Sequence, residues 1–262
     1  MDPFIVTVLL VIALVGGFCI TTIGPGGIFV TIALFALLPL DPGTVAGTAS
    51  ATFIITGIAG SLGYFRSGQL LEKHAVKAAV ILSLASVAGA FAGSQLNAFL
   101  SASLFAVLLG IFVISTGILI LYRQKYTLSP ERTLKMESSG GLVRLGVVGV
   151  AVGLPGGLLG IGGPVLAVPM MVVLGIPMLM SVALAQVQSV FISGMATAGY
   201  ALQGAVDWTL ALYLTLPLLI GAIAGWYSAQ KIKPEKLQVA LALILLVLGI
   251  YLVSGGITPG MH

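Results

Sequence analysis

Charged side chains are almost missing from this chain: Asp, Glu, Lys and Arg make up 7% of its 262 residues. Soluble domains carry about a quarter. No Asp, Glu, Lys, Arg or His occurs in 3–40, 42–65, 78–122 or 145–206. Carboxylates within a membrane are the usual proton relays and cation sites. Their absence disfavours a carboxylate-based proton antiporter or cation pump. Cysteine occurs once, at Cys19. That excludes an intrachain disulfide, a multi-cysteine metal site and a thiol relay. Cys19 reads as a small packing residue. No GxxxxGK[ST] loop is present, so no ATP-driven step is expected. No cluster of metal ligands occurs, and the Gly clusters lack the downstream acid of a dinucleotide fold. No cofactor and no enzymatic role are expected. The net charge of +4 gives no reason to invoke nucleic acid.

What fills the chain instead is apolar. Hydrophobic residues make up 59% and mean hydropathy is +1.19. A soluble fold could not hide that much apolar surface. Hydrophobic runs of about 20 residues recur along the chain, the length that spans a bilayer as helix. The opening MDPFIVTVLL lacks a basic stretch, so no cleaved signal peptide is expected. The expected class is an all-α polytopic membrane protein.

Two glycine clusters interrupt the apolar runs, 136 positions apart: TTIGPGGIFVTIALF and GLLGIGGPVLAVPMM. At this offset Gly17, Gly24, Gly26, Gly27, Gly63, Gly68 and Gly89 fall on Gly153, Gly160, Gly162, Gly163, Gly199, Gly204 and Gly225. Tyr64 falls on Tyr200. Chance would match about two glycines in such a window. A duplication is expected, with halves at 1–122 and 143–262 and a polar linker at 123–142.

Charge places the halves. Arg66 to Lys77, Arg123 to Arg144 and Lys231 to Lys236 hold nearly all the basic residues. The positive-inside rule makes these loops cytoplasmic. The loops near Asn97 and Asp207 and both termini then lie outside. The basic loop of half one matches a non-basic loop of half two, and the reverse. The halves are therefore expected to be inverted repeats. Parity then makes 4–39 a hairpin turning at Gly24–Gly27. Its second arm of about 12 residues reaches only about 18 Å, short of a core of about 30 Å. Half two repeats this from the opposite face, turning at Gly160–Gly163. Each half is a Gly-broken hairpin plus three spanning helices, about 8–10 helical segments in all.

Each Gly cluster opens an apolar helix, at Ile28 and at Pro164. The first N–H groups of a helix have no partner within it, and the dipole there is positive. Such an end attracts an anion. A helix end contributes roughly 0.3–1 kcal/mol, up to about 2 when partly buried. Removing an anion from water costs several kcal/mol. Further donors are required, at about 1.5–3 kcal/mol for each bond to a charged group. Candidates are Thr22 before the first tip, Thr48, Ser50 and Thr52 on the next helix, and Gln186, Gln188 and Ser189 in half two. With Gly24, Gly26, Gly27, Gly160, Gly162 and Gly163 they make up the expected substrate site. The competing reading is that a Ser or Thr in a membrane helix bonds to its own preceding turn.

The paired breaks GPGGIF and GIGGPVLAVPMMVVLGIP, with the hydroxyl-rich VAGTASATF, resemble the sulfite exporter TauE/SafE family over nearly the whole chain. The resemblance implies transport of small sulfur-containing or organic anions such as sulfite and sulfonates. It carries the family's Gly motifs onto Gly24, Gly26, Gly27, Gly160, Gly162 and Gly163, with Pro169 in the helix beyond. Ile28 and Pro164 stand where the family often continues its Gly run. Half two offers Gln186 to Ser189 where half one has Thr48 to Ser50.

The expected function is secondary transport, in the export direction, of a small anion held between the tips in a multi-pass protein of the plasma membrane. The expected partners are that anion and the lipid bilayer, with a homo-oligomer allowed by small-residue faces. The rivals are an anion or small-solute channel, and an integral membrane enzyme or assembly subunit. Gly26→Val or Gly162→Val is expected to abolish flux while the protein still inserts. Unchanged flux in both variants would end the site assignment.

Overall fold

The computed structural model describes residues 2–71, 73–125, 138–231 and 235–257. Most of the 123–142 linker and part of the third basic loop, including Lys233, lie outside the described residues. The described chain is all-α: α1 Pro3–Thr22, α2 Ile28–Leu37, α3 Pro42–Arg66, α4 Lys73–Asn97, α5 Ala102–Lys125, α6 Ser139–Leu159, α7 Pro164–Val173, α8 Met178–Leu202, α9 Trp208–Ala229 and α10 Glu235–Ile257. Eight of these helices are long and apolar enough to cross a membrane; α2 and α7, of ten residues each, are not.

Local chemistry explains the helix starts. Asp2, Asp41, Ser138 and Asp207 cap α1, α3, α6 and α9, each accepting a backbone N–H from the first turn. Partial burial alone would raise the Asp41 carboxyl. The hydroxyl and N–H of Thr44, with backbone N–H groups of Asp41 and Gly43, outweigh it and hold the group below its ordinary value.

The sequence offset reappears in the helices. Shifted by 136, the bounds of α2 and α3 coincide with those of α7 and α8. Side-chain bonds obey the same offset. The Tyr64 hydroxyl donates to Thr21 O at 2.5 Å. The Tyr200 hydroxyl donates to Gly157 O at 2.7 Å, the counterpart position.

Directions follow from close approaches at glycine. Leu82 meets Gly149, Ser86 meets Gly153 and Ala90 meets Gly157, so α4 and α6 run parallel. Leu14 meets Gly221 and Thr21 meets Gly225, so α1 and α9 do too. Gly47 meets Tyr200, Gly57 meets Val190 and Gly60 meets Gln186, so the counterparts α3 and α8 run antiparallel. A side chain at Gly17 would begin 2.0 Å from Leu218 O, and one at Gly157 2.0 Å from Ala90 O. Backbones this close tolerate only glycine, the usual basis of tight helix packing in lipid.

The two halves of the sequence are interlocked. The first helix of each half, α1 or α6, packs along α9 or α4 of the other half. Thr21 and Thr22 hydroxyls donate across this boundary to Ala222 O and Gly225 O, at 2.6 and 3.1 Å. Asn97 Nδ2 donates to Leu158 O at 2.7 Å. α5 and α10 form a third such pair, and at the centre α3 and α8 pack on each other more extensively than α3 does on α9 or α8 on α4.

Tyr64→Phe and Tyr200→Phe each remove a donor from a buried carbonyl at the end of a broken helix. Each is expected to cost about 1–2 kcal/mol, read as a lower thermal unfolding midpoint in detergent. Midpoints unchanged in both variants would show that these hydroxyls hold nothing.

Candidate functional site

The site is made where helices stop. At the end of α1 the N–H groups of Ile23 and Gly24 both bond to Cys19 O, each at 3.0 Å. Gly24 then turns at φ +104°, a region that favours glycine. At the end of α6, Gly160 takes φ +62° and caps the helix through its N–H to Gly156 O. Pro164 opens α7 at a position that has no N–H to leave unpaired.

Both tips are buried, and they touch. The Thr31 hydroxyl of α2 donates to Gly160 O of the other tip at 2.7 Å. A side chain at Gly27 would begin 3.3 Å from Ile161 O, and one at Gly24 3.2 Å from Pro164 O. The tips meet beside Phe53 and Ser189, each the twelfth of 25 residues in α3 and α8, so the meeting point is level with the middle of both helices. A void of about 10 Å³, room for about one water, lies there, walled by Gly27, Phe53, Ile161, Gly162, Pro164 and Ser189 among others. No acid or base is among its walls.

The two helix starts differ. At α2 the Phe29 and Val30 N–H groups bond back to Gly26 O and Gly27 O, at 3.2 and 3.0 Å. That tightens the turn and uses donors. At α7 the closing bond is the longer loop from Ala167 N–H to Gly163 O, at 3.2 Å. The second tip is the more open donor end.

The structure divides the expected site residues. Gly27, Gly162, Gly163 and Ser189 come together. Gln188 joins them: it is fully buried, neither amide atom has a partner, and Oε1 lies 3.4 Å from where a Gly163 side chain would begin. Ser50 is also buried with an unpartnered hydroxyl, in the α3 face that meets α8. The others are engaged elsewhere. Thr22 bonds Phe18 O and Gly225 O, and Thr52 bonds Ala49 O in its own helix. Thr48 accepts the Asp207 N–H at 3.0 Å, tying α3 to the start of α9. Gln186 donates through Nε2 to Ile20 O at 2.9 Å, while its Oε1 lies against Gly60 without a partner. Gly24 and Gly160 shape the turns. Phe53 and Thr31 went unread as site residues. For Phe53 a signal existed: at the 136 offset it is the counterpart of Ser189.

Among the described residues, ten apolar helices with two buried, interrupted hairpins define a polytopic membrane protein with an internal polar point. The sequence model of the sulfite exporter TauE/SafE family matches residues 9–252, and the chain belongs to that family. It is similar to the probable membrane transporter protein YdhB of Bacillus subtilis (strain 168), 27% identical over 87% of this chain and 88% of that protein. It is also similar to YunE of the same organism, another probable membrane transporter protein, at 25% identity over 95% and 98%. A probable membrane transporter protein of Xylella fastidiosa (strain 9a5c) is 23% identical over 90% of each chain. No solved structure matches the chain. The chain is a membrane transporter.

The geometry separates the two glycines expected to behave alike. A side chain at Gly26 would begin 2.2 Å from Gly16 O and 2.4 Å from Ile20 N, inside α1. At Gly162 the nearest atoms are Phe53 and Ser189 Oγ, both at 3.3 Å, with strain only from φ +68°. Gly26→Ala is therefore expected to reduce folded yield and thermal stability more than Gly162→Ala. Equal stability of the two variants would contradict the packing described for the first hairpin.

Proposed function

We propose that this chain is a secondary transporter that exports a small anion across the plasma membrane, binding it between the two Gly tips. The observation that carries the reading is the meeting of both tips, buried, beside the unpaired amide of Gln188. The halves are read as inverted repeats with outward-facing termini, in keeping with the antiparallel course of α3 against α8. Sulfite is the substrate that the family description names, and small sulfur oxyanions and sulfonates share its chemistry.

The interaction energies suit such a ligand. A helix end alone does not offset the several kcal/mol lost on drying an anion. The Gln188 amide and the Ser189 hydroxyl supply the missing donors, at about 1.5–3 kcal/mol per charged hydrogen bond. A buried amide without a partner is costly to any fold, and a recurring ligand is a physical reason to keep one. With no carboxylate relay in the wall, an inside-negative potential drives export at about 2.3 kcal/mol per charge per 100 mV.

Interlocking shapes the motion. Rocking residues 1–122 against 143–262 would tear α1 from α9 and α6 from α4. Alternating access is instead read as movement of the tips, with the crosswise helix pairs left intact.

Purified protein in liposomes is expected to show saturable flux and counterflow of sulfite or methanesulfonate, with sulfate, acetate and lactate as comparisons. Gln188→Leu is expected to weaken apparent affinity about tenfold to a hundredfold, the range of one hydrogen bond to a charge. No saturable flux of any of these anions, or an unchanged affinity in the variant, would overturn the reading.

A further inference from the structure

Position 53 breaks the symmetry of the site. Under the 136 offset it pairs with 189, and both positions wall the space between the tips. Half two places a serine there, a hydroxyl beside Gly162 and Gly163. Half one places a phenyl ring, 2% exposed. Its Cζ and Cε1 lie 3.1 and 3.2 Å from where a Gly27 side chain would begin. Its Cδ2 and Cγ lie 3.3 and 3.7 Å from the same point at Gly162. One ring thus touches both tips and lies across the space between them.

A plain packing role explains burial but not this placement. At Phe53 a group without hydrogen-bonding capacity lies against both tips. Such a wall cannot bind an anion's oxygens, but it limits how far the rest of the ligand extends. An aromatic edge also carries partial positive charge, so it does not repel an anion. We propose that Phe53 is the size determinant of the anion site: the ring occupies volume that a longer substrate tail would need. The preferred ligand is then an oxyanion head with little or no alkyl tail, because it requires the smallest displacement of the ring. This rests on the anion-transport reading above.

The test is a competition series in liposomes holding the purified full chain, with sulfite and the straight-chain sulfonates from methane- to butanesulfonate. Wild type is expected to lose affinity as the chain grows. Phe53→Ala is expected to reverse that order, with about a fourfold gain per methylene that enters the vacated apolar space. Phe53→Trp is expected to steepen the wild-type order. If Phe53→Ala fails to reconstitute, Phe53→Leu decides the matter through ligand-induced shifts in thermal stability in detergent, where a flatter chain-length order is expected. Chain-length orders that match wild type in the folded variants would overturn the proposal. If wild type itself moves none of these anions, the transport reading fails first and takes this inference with it.

Discussion

Everything in this fold answers one demand: a peptide chain that stops being helical inside hydrocarbon must find partners for the groups it frees. The hairpins meet the demand partly through each other and partly through a tyrosine of their own half. The Thr31 hydroxyl of one supplies Gly160 O of the other, and Tyr64 and Tyr200 cover carbonyls at the ends of α1 and α6. Because Thr31 and Gly160 belong to different halves, their bond also brings the tips together. The place where backbone is least regular becomes the place where two helix starts converge.

Close packing holds that convergence in register. Glycine lines the α4–α6 and α1–α9 contacts, and the backbones approach too closely for any side chain at Gly17, Gly153 or Gly157. Lipid tails are as apolar as leucine, so contact of this kind and hydrogen bonds must replace the hydrophobic drive of water. The same contacts fuse the halves crosswise. Each of these pairs takes one helix from either half of the sequence. The central contact of α3 with α8 holds the unpartnered polar groups of Ser50, Gln186, Ser193 and Thr197.

The proposed site carries no formal charge in its walls. Transport requires binding that is firm enough to select and weak enough to release. In the proposal, peptide amides, one carboxamide and one hydroxyl are graded donors, whereas a buried arginine would hold an anion fast. The two halves differ where they wall the space between the tips. Half one contributes a phenyl ring and a turn that consumes its own donors. Half two contributes Ser189, Gln188 and the more open start of α7.

Much of this was legible in one dimension. Near-absence of charge and repeated apolar runs determine a polytopic all-α protein, since no other fold satisfies that composition. The 136-residue offset and the Gly clusters determine where helices break, because glycine spacing records backbone geometry directly. What only the tertiary structure decided is which polar residues serve helices and which face the site. Thr22, Thr48, Thr52 and Gln186 have the right chemistry but bond to carbonyls, or an N–H, that lie far off in sequence or one turn back. Phe53 has no polar chemistry at all, and its place between the tips exists only once α3, α2 and the second hairpin are packed. Interlocking of the halves is likewise invisible in sequence. Hydropathy reports that a helix is buried in something apolar, but lipid and neighbouring helix are equally apolar, so it does not say in which.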